Sequence, residues 1–166
     1  MAAKSSHFHL KMEEAIERCR TDCQWEMQLA MVAQMRARTS SPRHKGSKGA
    51  APQKSEDYEN LLAAEALLEL CLKENLAKIK ETMPLMEKTE PKLSDAKKFL
   101  TDILNRGKLL PKDMTEAMLL LAKLHYIEGC YRETLSMYAR AGLEDLVIEK
   151  KPLYKLRLLT EAFVIK

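Results

Sequence analysis

Two amphipathic helical patterns separated only by Gly129 and Cys130 restrict the fold of this chain more than any other feature. On both sides of this break, apolar residues recur at the i, i+3, i+4 spacing that places them on one face of a helix. The first pattern comprises Ala117, Met118, Leu121, Leu124 and His125, and the second comprises Tyr131, Thr134, Leu135, Tyr138 and Ala141. Helices joined by so short a break lie antiparallel, so residues 116–143 predict a helical hairpin.

The ends of this hairpin carry their own signals. Asp113 precedes Glu116 by three residues, a spacing typical of a capping box at a helix start. Gly142 follows the second apolar pattern, where a left-handed residue commonly ends a helix. The predicted hairpin therefore spans residues 113–142.

Small and aromatic residues at fixed offsets give the hairpin the tetratricopeptide pattern, a helix–turn–helix repeat of roughly 34 residues. The residues that define the repeat by their packing are Met118, Leu121, Ala122, Gly129, Tyr131, Tyr138 and Ala141. Ala122 and Ala141 permit close helix approach, and Tyr131 is expected to fill the open end of the hairpin. Met118 stands where Trp is common and Thr134 where Ala is usual. The alternative is an ordinary helical hairpin in a small bundle.

Composition agrees with an all-helical chain. Of 166 residues, 46% are hydrophobic and only 5 are Gly. We therefore predict an all-α fold, the N-terminal portion of a tetratricopeptide-like solenoid of helical hairpins. The net charge of +4 is too mild to call for a nucleic-acid partner. The N-terminus lacks a secretory signal, and no apolar run approaches the ~20 residues of a membrane span. We expect a cytoplasmic protein with reduced cysteines.

Three segments follow from patterning along the chain. Residues 1–37 predict an N-terminal helical hairpin. Residues 38–56, rich in Ser, Pro, Gly and Lys, predict a disordered basic linker, because they cannot bury enough apolar surface to offset ordering. Residues 57–166 predict helical repeats. Within them, residues 57–80 predict one helix, apolar on most sides, with a solvated stripe formed by Glu65, Glu69 and Lys73.

The last apolar pattern has no partner helix in the sequence. Leu156, Leu159, Thr160 and Phe163 share one predicted helix face, and the chain stops at Lys166 within that pattern. Solenoids need terminal caps, so we expect an N-terminal fragment of a longer array, truncated in the next repeat.

The linker has three interpretations: a solvated tether, a contact with anionic membrane, and a signal for nuclear import or nucleic-acid contact. The basic run from Arg36 to Lys54, which begins just before the linker, contains no acidic residue and carries the cations Arg36, Arg38, Arg43, Lys45, Lys48 and Lys54. Thr39, Ser40 and Ser41 precede a proline and are phosphorylation candidates, whose phosphates would cancel positive charge.

The sequence contains few candidates for metal-binding or catalytic residues. Cys19 and Cys23, with His7 and His9 upstream, could supply four zinc ligands, but core packing is the favoured interpretation because both cysteines share an apolar stripe. His125 lies on an apolar face without a motif partner and is expected to pack. Phosphate-binding glycine loops do not occur in the sequence. We predict no catalytic residue, no cofactor and no metal site.

Long segments resemble one family. Residues 116–146 read EAMLLLAKLHYIEGCYRETLSMYARAGLEDL and residues 151–166 read KPLYKLRLLTEAFVIK. Together with residues 61–100 and 16–27, they resemble the N-terminal region of the tetratricopeptide repeat protein 7 family, the A paralogue more than the B. The resemblance implies a non-enzymatic cytosolic scaffold that recruits phosphatidylinositol 4-kinase III alpha to the plasma membrane, where phosphatidylinositol 4-phosphate is made. It also implies a hyccin-type partner and a palmitoylated membrane anchor.

Two other functions are compatible with the residues: a tetratricopeptide adaptor with other protein clients, and a peripheral protein that binds anionic lipid through the linker. By resemblance to tetratricopeptide repeats, Glu116, Leu119, Lys123 and Tyr126 are expected to point into the inner groove and contact a partner. Glu116 and Leu119 depart from the residues that grip the C-terminal carboxylate of chaperones. A co-chaperone role is therefore disfavoured.

Overall fold

The computed structural model of the chain describes residues 2–39, 52–146 and 151–166, and this part holds eight α-helices and no β-strand. The helices are α1 (Ala2–Thr21), α2 (Trp25–Thr39), α3 (Pro52–Glu74), α4 (Leu76–Lys80), α5 (Pro91–Arg106), α6 (Pro111–Ile127), α7 (Tyr131–Ala141) and α8 (Leu153–Ile165). A short 3-10 turn, Leu143–Asp145, follows α7. The predicted all-α, tetratricopeptide-like fold is confirmed.

Helices α6 and α7 form the predicted hairpin. Gly129, in the turn between them, has φ +77°, and Gly142, after α7, has φ +64°, so both adopt the left-handed conformation that glycine tolerates. The predicted capping box is wrong, because α6 begins at Pro111 and Asp113 makes no capping hydrogen bond. Proline suits this first position, since its missing N–H would have no partner there.

The packing within the hairpin explains the departures from the repeat pattern. Leu121, Ala122, Tyr138 and Ala141 are buried, and Met118 is half-buried. Thr134 is buried as well, and its hydroxyl donates to the carbonyls of Ala122, at 3.3 Å, and Cys130, at 3.1 Å. Threonine is thus accommodated at an alanine position because its hydroxyl is satisfied.

Tyr131 does not fill the open end of the hairpin. It is 60% exposed, and its ring packs against the exposed ring of Tyr126 with 5.5 Å between centroids. Leu135, one turn further along α7, is also exposed.

The main core lies between α3, α5 and the α6–α7 hairpin. Its fully buried members include Leu61, Leu68, Leu93, Leu100, Ile103, Leu120 and Leu124. The loop before α5 is tied to the hairpin, because the backbone N–H of Leu85 donates to the carbonyl of Ile127 at 3.0 Å. Helix α3 contributes to this core on one side and packs against α2 on the other, as its apolar circumference predicts.

Helices α1 and α2 form the N-terminal hairpin. Met12, Ile16 and Val32 pack against α3. Cys19 is also buried, and its sulfur lies 3.9 Å from the sulfur of Met31 in α2. The prediction that Cys23 shares this stripe is wrong. Helix α1 ends at Thr21, and Cys23 lies in the following turn, exposed and with φ +56°.

Several predicted boundaries differ from the observed ones. The predicted 57–80 helix is interrupted at Asn75, and α3 begins earlier, at Pro52. Helix α2 reaches Thr39, and Arg36 near its end donates to the Asn60 side chain at 2.6 Å, so one cation of the basic run is engaged within the fold. Residues 40–51 lie outside the described part, as do the side chains of the phosphorylation candidates Thr39, Ser40 and Ser41.

Helix α8 packs through a different face from the one predicted. Its buried residues are Tyr154, Leu158, Leu159 and Ala162. Of the predicted face, Leu159 is covered and Leu156 is half-buried, whereas Thr160 and Phe163 are exposed. Half of the predicted face is therefore on the outside of α8, because the helix is rotated to bring Tyr154 and Leu158 inward.

Candidate interaction surface and the charge network beneath it

Three of the four predicted groove residues are buried. Glu116, Leu119 and Lys123 are largely covered by the chain's own helices, and only Tyr126, 43% exposed, is an exposed residue of the four. The physical reason is α8, which packs on α6 and covers the groove face. The groove prediction is therefore corrected for Glu116, Leu119 and Lys123.

Buried charged side chains fill the groove face of α6, and Arg20 of α1 lies at their centre. Its Nε donates to Glu65 Oε2 at 2.6 Å, and its Nη2 donates to Glu65 Oε1 at 3.2 Å and to Glu116. Its guanidinium also lies over the ring of Tyr154, 3.9 Å from the centroid. One buried side chain thus contacts α3, α6 and α8. Burial opposes its charge, but Glu65 holds the pKa of Arg20 above its usual value.

The cations of α8 meet carboxylates of α3 and α6. Arg157 Nη2 lies 3.6 Å from Glu65 Oε1 and 3.9 Å from Glu69 Oε1, and its guanidinium lies 4.7 Å from the centre of the Trp25 ring. Lys155 Nζ lies 3.8 Å from Glu116 Oε2. These contacts anchor α8 to the two helices beneath it.

Lys123 of α6 completes the set. Its ammonium donates to Glu69 and, at 2.7 Å, to Glu161 Oε2 of α8. Four cations thus meet four carboxylates, which we call the eight-charge network: Arg20, Lys123, Lys155 and Arg157 with Glu65, Glu69, Glu116 and Glu161. Its formal charge is zero, and it joins α1, α3, α6 and α8.

Helix α2 is tied to the same network. Gln28 Nε2 donates to Glu65 Oε2 at 3.1 Å and to the Leu62 carbonyl at 2.9 Å. The predicted solvated stripe is therefore wrong for Glu65, which is 1% exposed. Lys73 is exposed as predicted, but it pairs with Glu26 of α2, at 3.2 Å.

Sequence reasoning missed the network, although a signal was present. Arg20 follows Ile16 by four residues and so falls on the apolar stripe of α1, and Glu65 stands among leucines and alanines of α3. A charged residue on an apolar face indicates a buried partner, because an unpaired buried charge is costly. The identity of the partner required the tertiary structure.

An amphipathic cleft opens beside the network, between α6 and α8. Its volume is about 210 Å³, and its lining consists of Lys112, Thr115, Glu116, Leu119, Leu146, Lys151, Lys155, Leu158 and Leu159. A neighbouring, more polar cleft of about 530 Å³ shares Lys112, Glu116 and Lys155 with it. Burial lowers the pKa of Lys155. A lining that combines leucines with lysines suits a partner with an apolar anchor and negative charge.

A second exposed surface is apolar. Leu153, Phe163 and Val164 on the outside of α8 are 67%, 42% and 81% exposed. Phe163 and Val164 are adjacent near the end of α8, and neighbouring exposed apolar side chains on a helix often mark a contact with another protein. The amphipathic cleft and this outer face of α8 together form the candidate interaction surface.

Metal-binding side chains gather at one place within the described residues. The ligand atoms of His125, Glu128 and Cys130 all lie within 4.8 Å of one another at the α6–α7 turn. The sequence-based zinc candidates are not brought together in this way, because Cys19 is buried and Cys23 is exposed, and the side chains of His7 and His9 lie outside the described part. Of the helices that the structure describes, none has the length and apolarity to span a membrane.

Comparison with known proteins gives the family. The family described as Tetratricopeptide repeat protein 7 N-terminal matches residues 1–166. This chain belongs to the tetratricopeptide repeat protein 7 family. Human Tetratricopeptide repeat protein 7A is 53% identical over 173 residues, which cover 100% of this chain and 20% of the human protein. Human Tetratricopeptide repeat protein 7B is 37% identical over 171 residues, which cover 100% of this chain and 18% of that protein.

The tetratricopeptide repeat protein 7 family supports a role as a scaffold or adaptor built from helical repeats, and it suggests a non-enzymatic one. The predicted family resemblance is confirmed, and the identity to the human A paralogue exceeds that to the human B paralogue. The chain spans about a fifth of the length of these curated relatives.

Proposed function

We propose that this chain is part of a non-enzymatic scaffold that recruits phosphatidylinositol 4-kinase III alpha to the plasma membrane for phosphatidylinositol 4-phosphate synthesis. Its partners would be the kinase, a hyccin-type protein and a palmitoylated membrane anchor, and its own membrane association would be indirect. The observation that carries the proposal is the family match over the whole chain. The chain spans about a fifth of the length of its relatives, so the assignment of these partners to this chain is a proposal.

The structure supports a passive mechanism. The eight-charge network closes the inner groove by holding α8 on α6, so a partner is expected to dock on the outer surfaces that remain. The outer face of α8 offers an apolar anchor point in Phe163 and Val164, and the amphipathic cleft offers lysines for acidic residues. Rigid elements make good docking surfaces because little side-chain and backbone freedom is lost on binding.

Affinity capture from human cells tests this proposal. The tagged chain and tagged human Tetratricopeptide repeat protein 7A are expressed in parallel, and the kinase, hyccin-type protein and anchor are quantified by mass spectrometry. We expect the chain to enrich at least one of the three, and Val164→Asp to reduce that enrichment. Leu10→Asp, on α1, is the matched control, because Leu10 is also exposed and apolar. If the human protein retrieves the partners and this chain retrieves none, the proposal is wrong for this chain.

A further inference from the structure

The turn between α6 and α7 assembles three metal-binding side chains of different chemistry. His125 contributes an imidazole, Glu128 a carboxylate and Cys130 a thiol, and their ligand atoms lie within 4.8 Å of one another. His125 Nδ1 and Glu128 Oε2 are already 3.5 Å apart. Such a set spans only six residues, so its geometry is determined by the turn itself.

The backbone of the turn brings the three side chains together. The N–H of Cys130 donates to the carbonyl of His125 at 2.8 Å, and the N–H of Gly129 donates to that of Tyr126 at 3.0 Å. The left-handed conformation of Gly129, φ +77°, reverses the chain, so residue 130 returns towards residue 125. Leu124 and Ile127, next to the turn, pack in the main core, and the Ile127 carbonyl accepts from the N–H of Leu85, which holds the turn in place.

His125 has an unused ligand atom. Its Nδ1 is buried and has no hydrogen-bond partner, although nearly all buried polar atoms in proteins have one. Glu128 is largely buried too, with 8% of its side chain exposed. An unsatisfied imidazole nitrogen beside a buried carboxylate and a thiol is the arrangement that a metal ion would complete.

We propose that the α6–α7 turn binds a zinc ion through His125 Nδ1, the Glu128 carboxylate and Cys130 Sγ. Nitrogen, oxygen and sulfur donors together are typical of zinc, with distances of about 2.0–2.3 Å. Binding forms a Zn–S bond, and the thiol proton leaves to solvent. The 2+ charge then meets one carboxylate and one thiolate, so the site is neutral. A water molecule supplies the fourth ligand.

Lys97 competes with the metal for Glu128. Its Nζ donates to the two Glu128 oxygens at 3.1 and 3.0 Å, and also to Glu87 at 3.0 Å. When zinc takes the Glu128 carboxylate, the Lys97 ammonium keeps Glu87 as its partner. Removal of Lys97 leaves the buried Glu128 carboxylate without its cation in the metal-free chain. Zinc then supplies the missing positive charge without competition, so the substitution should tighten zinc binding.

The zinc site would lie beside the exposed Tyr126–Tyr131 pair and link the end of α6 to the start of α7. Tyr126 follows His125, and Tyr131 follows Cys130. Metal binding would therefore stiffen the part of the hairpin that presents these two aromatic rings.

Cobalt and zinc titrations of the whole reduced chain test the proposal. Co²⁺ bound to a thiolate produces a charge-transfer absorption band, and Zn²⁺ affinity is measured by competition with a chromophoric chelator. We expect one equivalent of metal per chain and loss of the charge-transfer band in Cys130→Ser. Cys23→Ser is the matched control, because Cys23 is an exposed thiol outside the site, and it should titrate like the parent chain. His125→Gln should weaken zinc binding by at least about tenfold.

Lys97→Gln supplies a test in the opposite direction, since it should bind zinc more tightly than the parent chain. Circular dichroism verifies that each variant is folded. The proposal is overturned if the folded parent chain shows no saturable zinc binding below about 1 mM, which corresponds to only about 4 kcal/mol of binding free energy. It is also overturned if Cys130→Ser retains the charge-transfer band, or if Cys23→Ser loses it.

Discussion

Arg20→Met should destabilise the chain more than the substitution of any exposed cation. The change keeps an unbranched apolar stem but leaves Glu65 and Glu116 buried without their closest partner. Breaking a buried ion pair from one side typically costs about 3–5 kcal/mol. Arg157, Gln28 and Lys155 still contact the two carboxylates, so we expect the lower end, about 3 kcal/mol.

Urea unfolding followed by circular dichroism measures this loss. With a denaturant slope of about 2 kcal/mol/M, the midpoint should fall by about 1.5 M. Lys73→Met is the matched control, because Lys73 and its partner Glu26 are both exposed and such pairs contribute little. Its midpoint should not change. Equal midpoints for Arg20→Met and Lys73→Met would refute the importance of the network.

A double-mutant cycle separates the Arg20–Glu65 interaction from general damage. If the two side chains stabilise each other, Arg20→Met/Glu65→Met should be less destabilised than the sum of the single variants, by about 1–3 kcal/mol. A double variant that equals the sum within about 0.5 kcal/mol would show that the two residues do not interact in solution.

Three further predictions concern other parts of the chain. Gly129→Ala should cost about 1–2 kcal/mol in urea unfolding, because its φ of +77° is unfavourable for an L-residue, whereas Gly46→Ala in the basic linker segment is predicted to leave the midpoint unchanged. Burial raises the pKa of Tyr138 and Tyr154 from 10.0 to about 12, so the unfolded chain releases these protons first and stability should fall as pH rises from about 10 to about 12. Tyr138→Phe should make that fall shallower, and an unaltered pH profile would contradict the assignment. Val164→Asp should leave the free energy of unfolding within about 0.5 kcal/mol of the parent, since its side chain is 81% exposed, and a larger loss would show that α8 packs differently.

The hairpin could be predicted because its signals are local. Gly129 and Gly142 mark positions that need a left-handed conformation, and the spacing of Leu121, Tyr138 and Ala141 places them on buried faces. Such features depend on a few neighbouring residues, and tertiary contacts reinforce them. Helix starts were less predictable, since Asp113 suggested a cap while Pro111 begins the helix without one.

The closed groove could not be predicted from periodicity. The stripe of Glu65, Glu69 and Lys73 has the polar spacing of a solvated face, yet Glu65 and Glu69 meet cations from distant helices. Arg20 and Glu116 are 96 residues apart in the sequence. Pairing at such separations depends on how the helices pack, and the residue types on each helix do not specify it. The same limit applies to α8, whose buried face became apparent only from its contacts with α1 and α6.

The proposed zinc site at the α6–α7 turn shows a third kind of limit. In the sequence, the pattern around His125 indicates a packing residue, and Cys130 forms part of the break between two helical patterns. Their spacing of five residues matches no familiar ligand motif, and it becomes meaningful only because the backbone reverses at Gly129. A short-range cluster of this kind requires the turn geometry before the donors can be seen to converge.

Hydrogen exchange of α8 tests the central claim most directly, namely that the eight-charge network holds α8 over the groove face of α6. Amide exchange of the chain is followed by mass spectrometry, peptide by peptide. We predict that residues 154–165 of α8 are protected to an extent similar to α6, and that Arg20→Met lowers this protection while residues 117–124 remain protected by the main core. If α8 in the parent chain exchanges within seconds while α6 stays protected, the helix is not docked, the groove is open, and the account is wrong.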